Sequence, residues 1–509
     1  MSLENKIIDE TGLKKLKLVL KKKKIVLCHG VFDLLHIGHI NYFHAAKKIG
    51  DVLVVSVTDD SYVNKGPGRP AFTIQNRVKF LKEINCIDYI CISRSITSEK
   101  IIKNLKPDFY CKGPDYSGSL KIKKDFNLKK EIQALKSVKG KFRTVNEEVF
   151  SSSKFINQKQ FQNLNSECKK FIDLIRSEIN SKQVLENLNK IKNKKVLIIG
   201  ETIIDNYITT EAIGKSGKEP VMVVKQKDQI KFLGGVGYIA NLCASFAKEV
   251  KMISFLGEKS EEKKFVLKNL HKKVKHNFLL KKNSPTIIKT RYLDDYRKSK
   301  LLGVYDLNDD LISKKEENNF LNILKTTIKK YDIIIVADYG HGIITKEIRK
   351  IITNNSKKLF LNTQINSFNR GYHTVYNYKK INSLIINESE LRYELKDKNS
   401  NVLSLAKKLK KKISVDNIIV TKGKWGSILI NCKNWSYILC PAFSENNIDT
   451  VGAGDTFFAL SALSIGSKID TKLGLLISSL AASFSTNQIG NLSIFNYKIL
   501  EKQLNHILK

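Results

Sequence analysis

The eight cysteines of this 509-residue chain, Cys28, Cys86, Cys91, Cys111, Cys168, Cys243, Cys432 and Cys440, include no Cys-x-x-Cys pair and no Cys/His group at zinc spacing. That excludes a zinc ribbon or a dithiol redox motif, and the thiols read as reduced and structural. No apolar run reaches the roughly 18 residues that a membrane-spanning helix needs. The stretch Met1 to Lys24 has dispersed lysines and acids but no apolar signal core, so the expectation is a cytoplasmic protein without a membrane partner. Acidic residues are also scarce: 49 Asp and Glu stand against 89 Lys and Arg, a formal net charge of +40. Such an excess attracts polyanions. The lysines are spread over both halves, in runs such as Lys21 to Lys24 and Lys410 to Lys412, rather than forming one stripe interleaved with aromatics. No nucleic-acid partner is expected, and the charge is assigned to solubility and to attraction of phosphorylated substrates.

The length calls for two or three domains, each with its own core. Strand-like runs at Ile25–Cys28, Val52–Val57, Tyr89–Ile92 and Phe109–Cys111 alternate with helical patterns at Ile40–Ile49 and Gln75–Ile84. A second alternating series runs through Lys195–Gly200, Met252–Leu256, Ile333–Ala337, Lys358–Leu361, Ser383–Ile386 and Asn417–Thr421, and ends in helices after Gly454. Both halves are therefore α/β, with parallel sheets faced by helices. Between them a polar segment without Gly or Pro carries Phe171, Leu174, Ile175 and Ile179 at helical spacing. The expected domains are 1–150, a helical connector over 151–192, and 193–509.

The first chemical site is His36-Ile37-Gly38-His39, set after the first strand and at a helix start, where free backbone N–H groups favour an anion. The two imidazoles, three residues apart, can face one phosphate, and Gly38 lets a nucleotide approach the backbone. This suits attack of a sugar phosphate on the α-phosphorus of a nucleoside triphosphate, with release of pyrophosphate. The surrounding strings Gly30-Val31-Phe32-Asp33-Leu34-Leu35, Lys65-Gly66-Pro67-Gly68-Arg69-Pro70, Arg77 and Lys112-Gly113-Pro114-Asp115-Tyr116 resemble the cytidylyltransferase-like family over roughly residues 25–155. The resemblance implies a Rossmann-like HxGH nucleotidyltransferase, with His36 and His39 stabilising the transition state and Lys65 assisting. It also implies nucleotide contacts from Gly30, Phe32, Asp33, Gly38, Arg77 and Lys112. The Arg-Thr-x-Gly-Ile-Ser-Thr-Thr signature of glycerol-phosphate cytidylyltransferases is replaced by Glu148-Val149-Phe150-Ser151-Ser152-Ser153-Lys154. Ser151 and Ser152 could still cap a helix and bind phosphate, and the base could be adenine or cytosine.

The second site is Asp449-Thr450-Val451-Gly452-Ala453-Gly454-Asp455-Thr456. Small residues Gly452, Ala453 and Gly454 leave amides open at a helix start for a transferring γ-phosphate, and Asp455 could take the proton of an attacking sugar hydroxyl. With Gly200-Glu201-Thr202-Ile203-Ile204-Asp205, Gly234-Gly235-Val236-Gly237, Asp338-Tyr339-Gly340-His341-Gly342, Asn387-Glu388-Ser389-Glu390 and Thr421-Lys422-Gly423, this half resembles the PfkB or ribokinase family over about 193–505. The resemblance implies a ribokinase-like fold in which Asp205, Gly234, Gly235, Asn241 and Asp338 hold the sugar and Asp455 is the base. It places Asn387, Glu390, Thr421 and Gly423 around ATP, with Glu390 toward Mg²⁺. Glu201 stands where Asp is more usual.

Two look-alikes fail. Gly214-Lys215-Ser216 lacks the Walker glycine, position 209 being Thr, and a dinucleotide site at Gly235-x-Gly237-x-x-Ala240 would leave the 452–455 loop unexplained. An aminoacyl-tRNA synthetase would also carry a His-Ile-Gly-His string, but Lys251-Met252-Ile253-Ser254 is a poor counterpart of its Lys-Met-Ser-Lys-Ser loop. A non-catalytic phosphate-binding scaffold and a nucleic-acid-binding protein are the remaining alternatives. The expected function is bifunctional: ATP-dependent phosphorylation of a sugar or sugar phosphate, and transfer of a nucleotidyl group from ATP, CTP or another nucleoside triphosphate to a sugar 1-phosphate. The pairing resembles bifunctional heptose 7-phosphate kinase/heptose 1-phosphate nucleotidyltransferases of lipopolysaccharide synthesis, though there the kinase usually comes first. Another polyol or sugar phosphate is the alternative substrate, and a homo-oligomer is expected. The segment Asn362 to Asn369 fits the heptose-kinase-like branch.

Overall fold

The computed structural model describes residues 6–20, 22–63, 70–113, 126–145, 164–366, 369–444 and 448–508. The chain forms two compact units, Met1–Asn163 and Leu164–Lys509.

The first unit is built on strands β1 (Ile7–Ile8), β2 (Ile25–Gly30), β3 (Val52–Thr58), β4 (Tyr89–Ser93), β5 (Phe109–Lys112) and β6 (Lys141–Thr144). They lie in the order β1-β4-β3-β2-β5-β6, every pair parallel. Alternate residues of β2 feed opposite faces: Val26 and Cys28 pack with Phe43 and Val78, whereas Ile25 and Leu27 pack with Leu13 and Leu105. Both faces are covered, so these strands are apolar without alternation. From β2 the chain runs to β3 and β4 on one side and then crosses back to β5 and β6 on the other, which makes the carboxyl end of β2 a switch point of the sheet. There the HxGH string begins the helix Ile37–Lys47.

The second unit has strands β7 (Lys195–Gly200), β8 (Thr202–Lys215), β9 (Met222–Gly234), β10 (Glu249–Leu256), β11 (Val274–Leu280), β12 (Ile287–Asp294), β13 (Lys300–Asp306), β14 (Ile333–Asp338), β15 (Leu359–Thr363), β16 (Lys380–Asn387), β17 (Ser414–Thr421), β18 (Ser427–Asn431) and β19 (Tyr437–Cys440). Nine form a sheet ordered β11-β10-β7-β14-β15-β16-β17-β18-β19, parallel from β11 to β17 and antiparallel beyond. The other four form a second sheet, β13-β12-β8-β9. Its strands mix polar with apolar residues without a regular period and do not read as buried runs; β13 is exposed along its whole length.

The segment expected to be a connector is described from Leu164 onward, where it forms the helices Ser166–Glu178 and Ser181–Lys192. Each is capped by an asparagine, Asn165 and Asn180. They are built into the second unit. Arg176 donates to the carbonyl of Ile507 at 2.9 Å, Lys472 pairs with Glu178, and the ammonium of Lys192 lies 3.8 Å from the Tyr497 ring centroid. All eight cysteines are free and seven are buried; burial pushes the Cys111 thiol up to about 12 and Cys432 up to about 11. Among the described residues no helix is long and apolar enough to cross a membrane.

Candidate active sites

In the first unit His36 caps the helix Ile37–Lys47, its Nδ1 accepting the amide of Gly38 at 3.1 Å. One helical turn brings His39 beside it, with ring centroids 4.0 Å apart, and the Phe32 ring meets His39 edge-on at 5.7 Å. Phe32 takes a left-handed φ of 51°, which folds its ring over Gly30. A Cβ on Gly30 would lie 3.0 Å from that ring, so any larger residue would push the ring outward. The histidine pair therefore stands at the carboxyl end of β2 with an aromatic wall behind it.

The other residues assigned to this site hold its loops. The Asp33 carboxylate accepts the amides of Ala71 at 2.8 Å and Phe72 at 3.0 Å. Arg77, 1% exposed, donates to the carbonyls of Val31, Thr58 and Phe72 and pairs with Asp60. Lys112 donates to the carbonyl of His29 at 3.3 Å and lies 3.5 Å from Glu131. Glu131 accepts the amide of Ser98 and the Tyr110 hydroxyl. Burial alone would raise its pKa, but Lys112, the His29 side chain and these donors hold it below the usual carboxylate range. Lys65, Ser151 and Ser152 lie outside the described residues.

In the second unit a cleft of about 480 Å³ opens between the two sheets. The nine-stranded sheet and its helices supply Asn387, Glu390, Thr421, Gly452, Gly454 and Asp455; the four-stranded sheet supplies Asp205, Lys289, Arg291 and Tyr305. Asp455 lies in the first turn of the helix Ala453–Gly466, whose cap, Gly452, has φ 83°. A Cβ there would lie 2.3 Å from Asn491 Oδ1, so both conformation and space demand glycine. Burial pushes the Asp455 carboxyl up to about 6, opposed by a 2.8 Å hydrogen bond from the Tyr339 hydroxyl; Asp205 and Glu390 raise it further and Lys289 lowers it.

Asp205 accepts from Arg291 in a buried ion pair. Gly234 gives it room, since a Cβ there would sit 2.3 Å from Asp205 Oδ2. Gly235, with φ 53°, begins the buried helix Gly235–Ala244 and lines the cleft. Asn387 and Glu390 form a reciprocal cap at the start of the helix Glu388–Leu395. The Glu390 carboxylate also accepts the amide of Ile365 at 3.3 Å, and burial raises its pKa. Thr421 pairs with Asn387 across β17 and β16, and Gly423, with φ 56°, turns the chain just beyond.

Two assigned sugar contacts are spent on the fold in this structure. The Asn241 side chain donates to the carbonyl of Asn269 at 2.8 Å and accepts the amide of His271 at 2.7 Å. Asp338 accepts from the Tyr378 hydroxyl at 2.7 Å and the Gly340 amide at 3.2 Å, and neither residue lines the cleft. The buried Glu201 carboxylate receives the amides of Tyr339 and His341, both at 3.0 Å; burial and nearby Asp338 push it up to about 8.

Lys289, Arg291 and Tyr305 were missed because the strands bearing them did not read as core. The available signal was Lys289 and Arg291 two apart on one strand face. Among the described residues no group of three or more His, Cys, Asp or Glu is placed to hold a metal. Glu390 in the cleft fits a Mg²⁺ ion, which takes one or two protein carboxylates and fills its shell with waters and substrate phosphates.

A parallel sheet roofed by a second sheet, with a carboxylate at a glycine-bounded helix start between them, is the architecture of a carbohydrate kinase. The chain belongs to the pfkB family of carbohydrate kinases, whose pattern it matches over residues 193–490, more than half its length. Residues 27–159 match the cytidylyltransferase-like family. Bifunctional protein HldE of Aliarcobacter butzleri is 27% identical over 307 residues, 59% of this chain and 62% of that protein. The HldE protein of Helicobacter hepaticus is 37% identical over 140 residues, 27% of this chain and 29% of its own. These alignments thus span less than two thirds of the relatives' lengths. Phosphofructokinase-2 from Escherichia coli, crystallised with potassium, shares the fold with a TM-score of 0.51 at 13% identity, over 62% of this chain and all of that one.

Proposed function

We propose that the protein is a bifunctional enzyme of nucleotide-sugar synthesis, phosphorylating a sugar phosphate in the second unit and coupling a sugar 1-phosphate to a nucleotide in the first. The observation that carries this reading is the cleft that gathers Asp205, Asn387, Glu390, Thr421 and Asp455 from segments far apart in sequence. In the kinase step an acceptor hydroxyl, held near Asp205, attacks the γ-phosphorus of ATP. Its proton passes to Asp455 and ADP leaves. The first-turn amides after Gly452 receive the transferring group. Mg²⁺ beside Glu390 would neutralise charge on the ATP phosphates. In the transferase step an oxygen of the sugar 1-phosphate attacks the α-phosphorus of the nucleoside triphosphate, His36 and His39 stabilise the charge that develops, and pyrophosphate leaves.

The resemblance to HldE proteins in both halves supports a heptose phosphate as the sugar and a product of the ADP-heptose kind, with another polyol or sugar phosphate, or CTP as donor, as the alternative. A cytoplasmic site of action belongs to the same reading. Exposed apolar residues on the four-stranded sheet, including Ile213, Met222, Leu302 and Val304, support a homo-oligomer.

The test is to supply the purified protein with ATP or CTP and candidate sugar phosphates and to follow ADP and pyrophosphate separately. Asp455→Asn should abolish ADP formation and spare pyrophosphate release from a supplied sugar 1-phosphate, and His39→Ala should do the reverse. Loss of both activities from either change would refute two independent sites. Amino acid-dependent exchange of pyrophosphate into ATP would refute the sugar reading.

A further inference from the structure

Asp455 needs more than the right ionisation to act as a base: one oxygen must face the acceptor hydroxyl, and a carboxylate free to turn spends little time so aligned. In this cleft the other oxygen is already engaged. The Tyr339 hydroxyl donates to Asp455 Oδ1 at 2.8 Å, and Tyr339 is itself fixed at both ends of its residue. Its amide donates to Glu201 Oε2 at 3.0 Å, and its carbonyl accepts from Asn366 and Asn369 at 2.9 and 2.8 Å. The residue is 2% exposed, and its ring lines the cleft beside the carboxylate.

Resting on the reading of Asp455 as the base, we propose that Tyr339 is the positioning residue of the kinase site, clamping Oδ1 so that Oδ2 meets the acceptor hydroxyl. The proton of that hydroxyl passes to Oδ2 as its oxygen bonds to the γ-phosphorus and the bridging bond to ADP breaks, and Tyr339 keeps its own proton throughout. Burial and Asp455 both raise the Tyr339 phenol well above its ordinary range, which keeps it a donor. The groups around the base are Asp205 from β8 and Glu390 from the helix Glu388–Leu395, which favour protonation, and Lys289 from β12 and Tyr339, which favour the anion. Removal of the Tyr339 donor therefore raises the pKa of Asp455 and moves the acid limb of the rate profile upward.

The experiment is Tyr339→Phe in the full chain, with ADP release measured from about pH 5 to pH 9 so as to span the acid limb. Read in kcat/KM, the limb is expected near pH 6 in the parent, where burial places the Asp455 carboxyl, and should rise in the variant by on the order of one unit. The plateau kcat should fall about tenfold with KM for ATP nearly unchanged, and pyrophosphate release should stay at the parent rate. Should the phenylalanine variant not fold, 3-fluorotyrosine inserted in place of Tyr339 keeps the ring and donates more strongly, so the limb should move downward. A limb at the parental position in the folded variants overturns the proposal. ADP formation that survives Asp455→Asn overturns instead the assignment of the base.

Discussion

At the scale of single residues, side chains such as Asp33 and Arg77 hold the loops around the histidine pair through backbone amides and carbonyls. Arg77 spends its guanidinium on three carbonyls and Asp60 within the first unit. Arg77→Met would leave those buried acceptors unmet, at a cost on the order of 3 kcal/mol. Chemical denaturation of the first unit should show that loss while the second unit's transition stays put. Gly234→Ala acts differently. Its backbone is ordinary, with φ −114°, but the added methyl would press on Asp205 Oδ2 at 2.3 Å. The expected result is a kinase kcat/KM reduced roughly 100-fold with an unchanged thermal transition, read by ADP release and calorimetry.

At the scale of elements, the four-stranded sheet and the loop leading into the helix Ala453–Gly466 meet on one carboxylate. Asp449 accepts from Lys300 of β13 at 2.8 Å, from the Tyr207 hydroxyl of β8 at 2.6 Å, and from the amides of Val451 and Gly490 at 3.1 Å. Burial would raise its pKa, yet Lys300 and Tyr207 hold it below the usual carboxylate range. Tyr207 follows Asp205 by two residues on the same strand, and Asp449 precedes Asp455 by six, so this contact registers the strand of Asp205 against the helix start of Asp455. Asp449→Asn should lower the kinase kcat roughly 10- to 100-fold, with pyrophosphate release from a sugar 1-phosphate unaffected. The same sheet marks a limit of legibility. Apolar runs such as Ile333–Ala337 announce a strand buried on both faces, whereas β8, β9, β12 and β13 lie partly open to solvent and carry Asp205, Lys289 and Arg291 among their apolar residues.

At the scale of the whole molecule, the helices Ser166–Glu178 and Ser181–Lys192 belong to the second unit. Phe171, Ile172, Ile175, Val184, Leu188 and Ile191 are buried there. A fragment spanning 164–509 should therefore retain ADP formation, and one starting at Lys195 should aggregate as the surface under those helices is exposed. A fragment spanning 1–163 should retain pyrophosphate release on its own. Size-exclusion chromatography with both assays checks the set.

The chain's local patterns by themselves determined where most of the parallel strands lie, β1, β6 and β11 excepted, and where the helix starts at His36 and Gly452 stand. Those features depend on short-range apolar runs and on spacings such as His36-x-x-His39 and Gly452 to Asp455. Only the tertiary structure decided which polar groups face a cleft and which are used up in the fold. Asp338 and Asn241 are held by Tyr378 and by the Asn269–His271 loop, while Lys289, Arg291 and Tyr339 reach the site. A side chain's partner across 30 or 100 residues is set by sheet order and crossover, which no local pattern encodes.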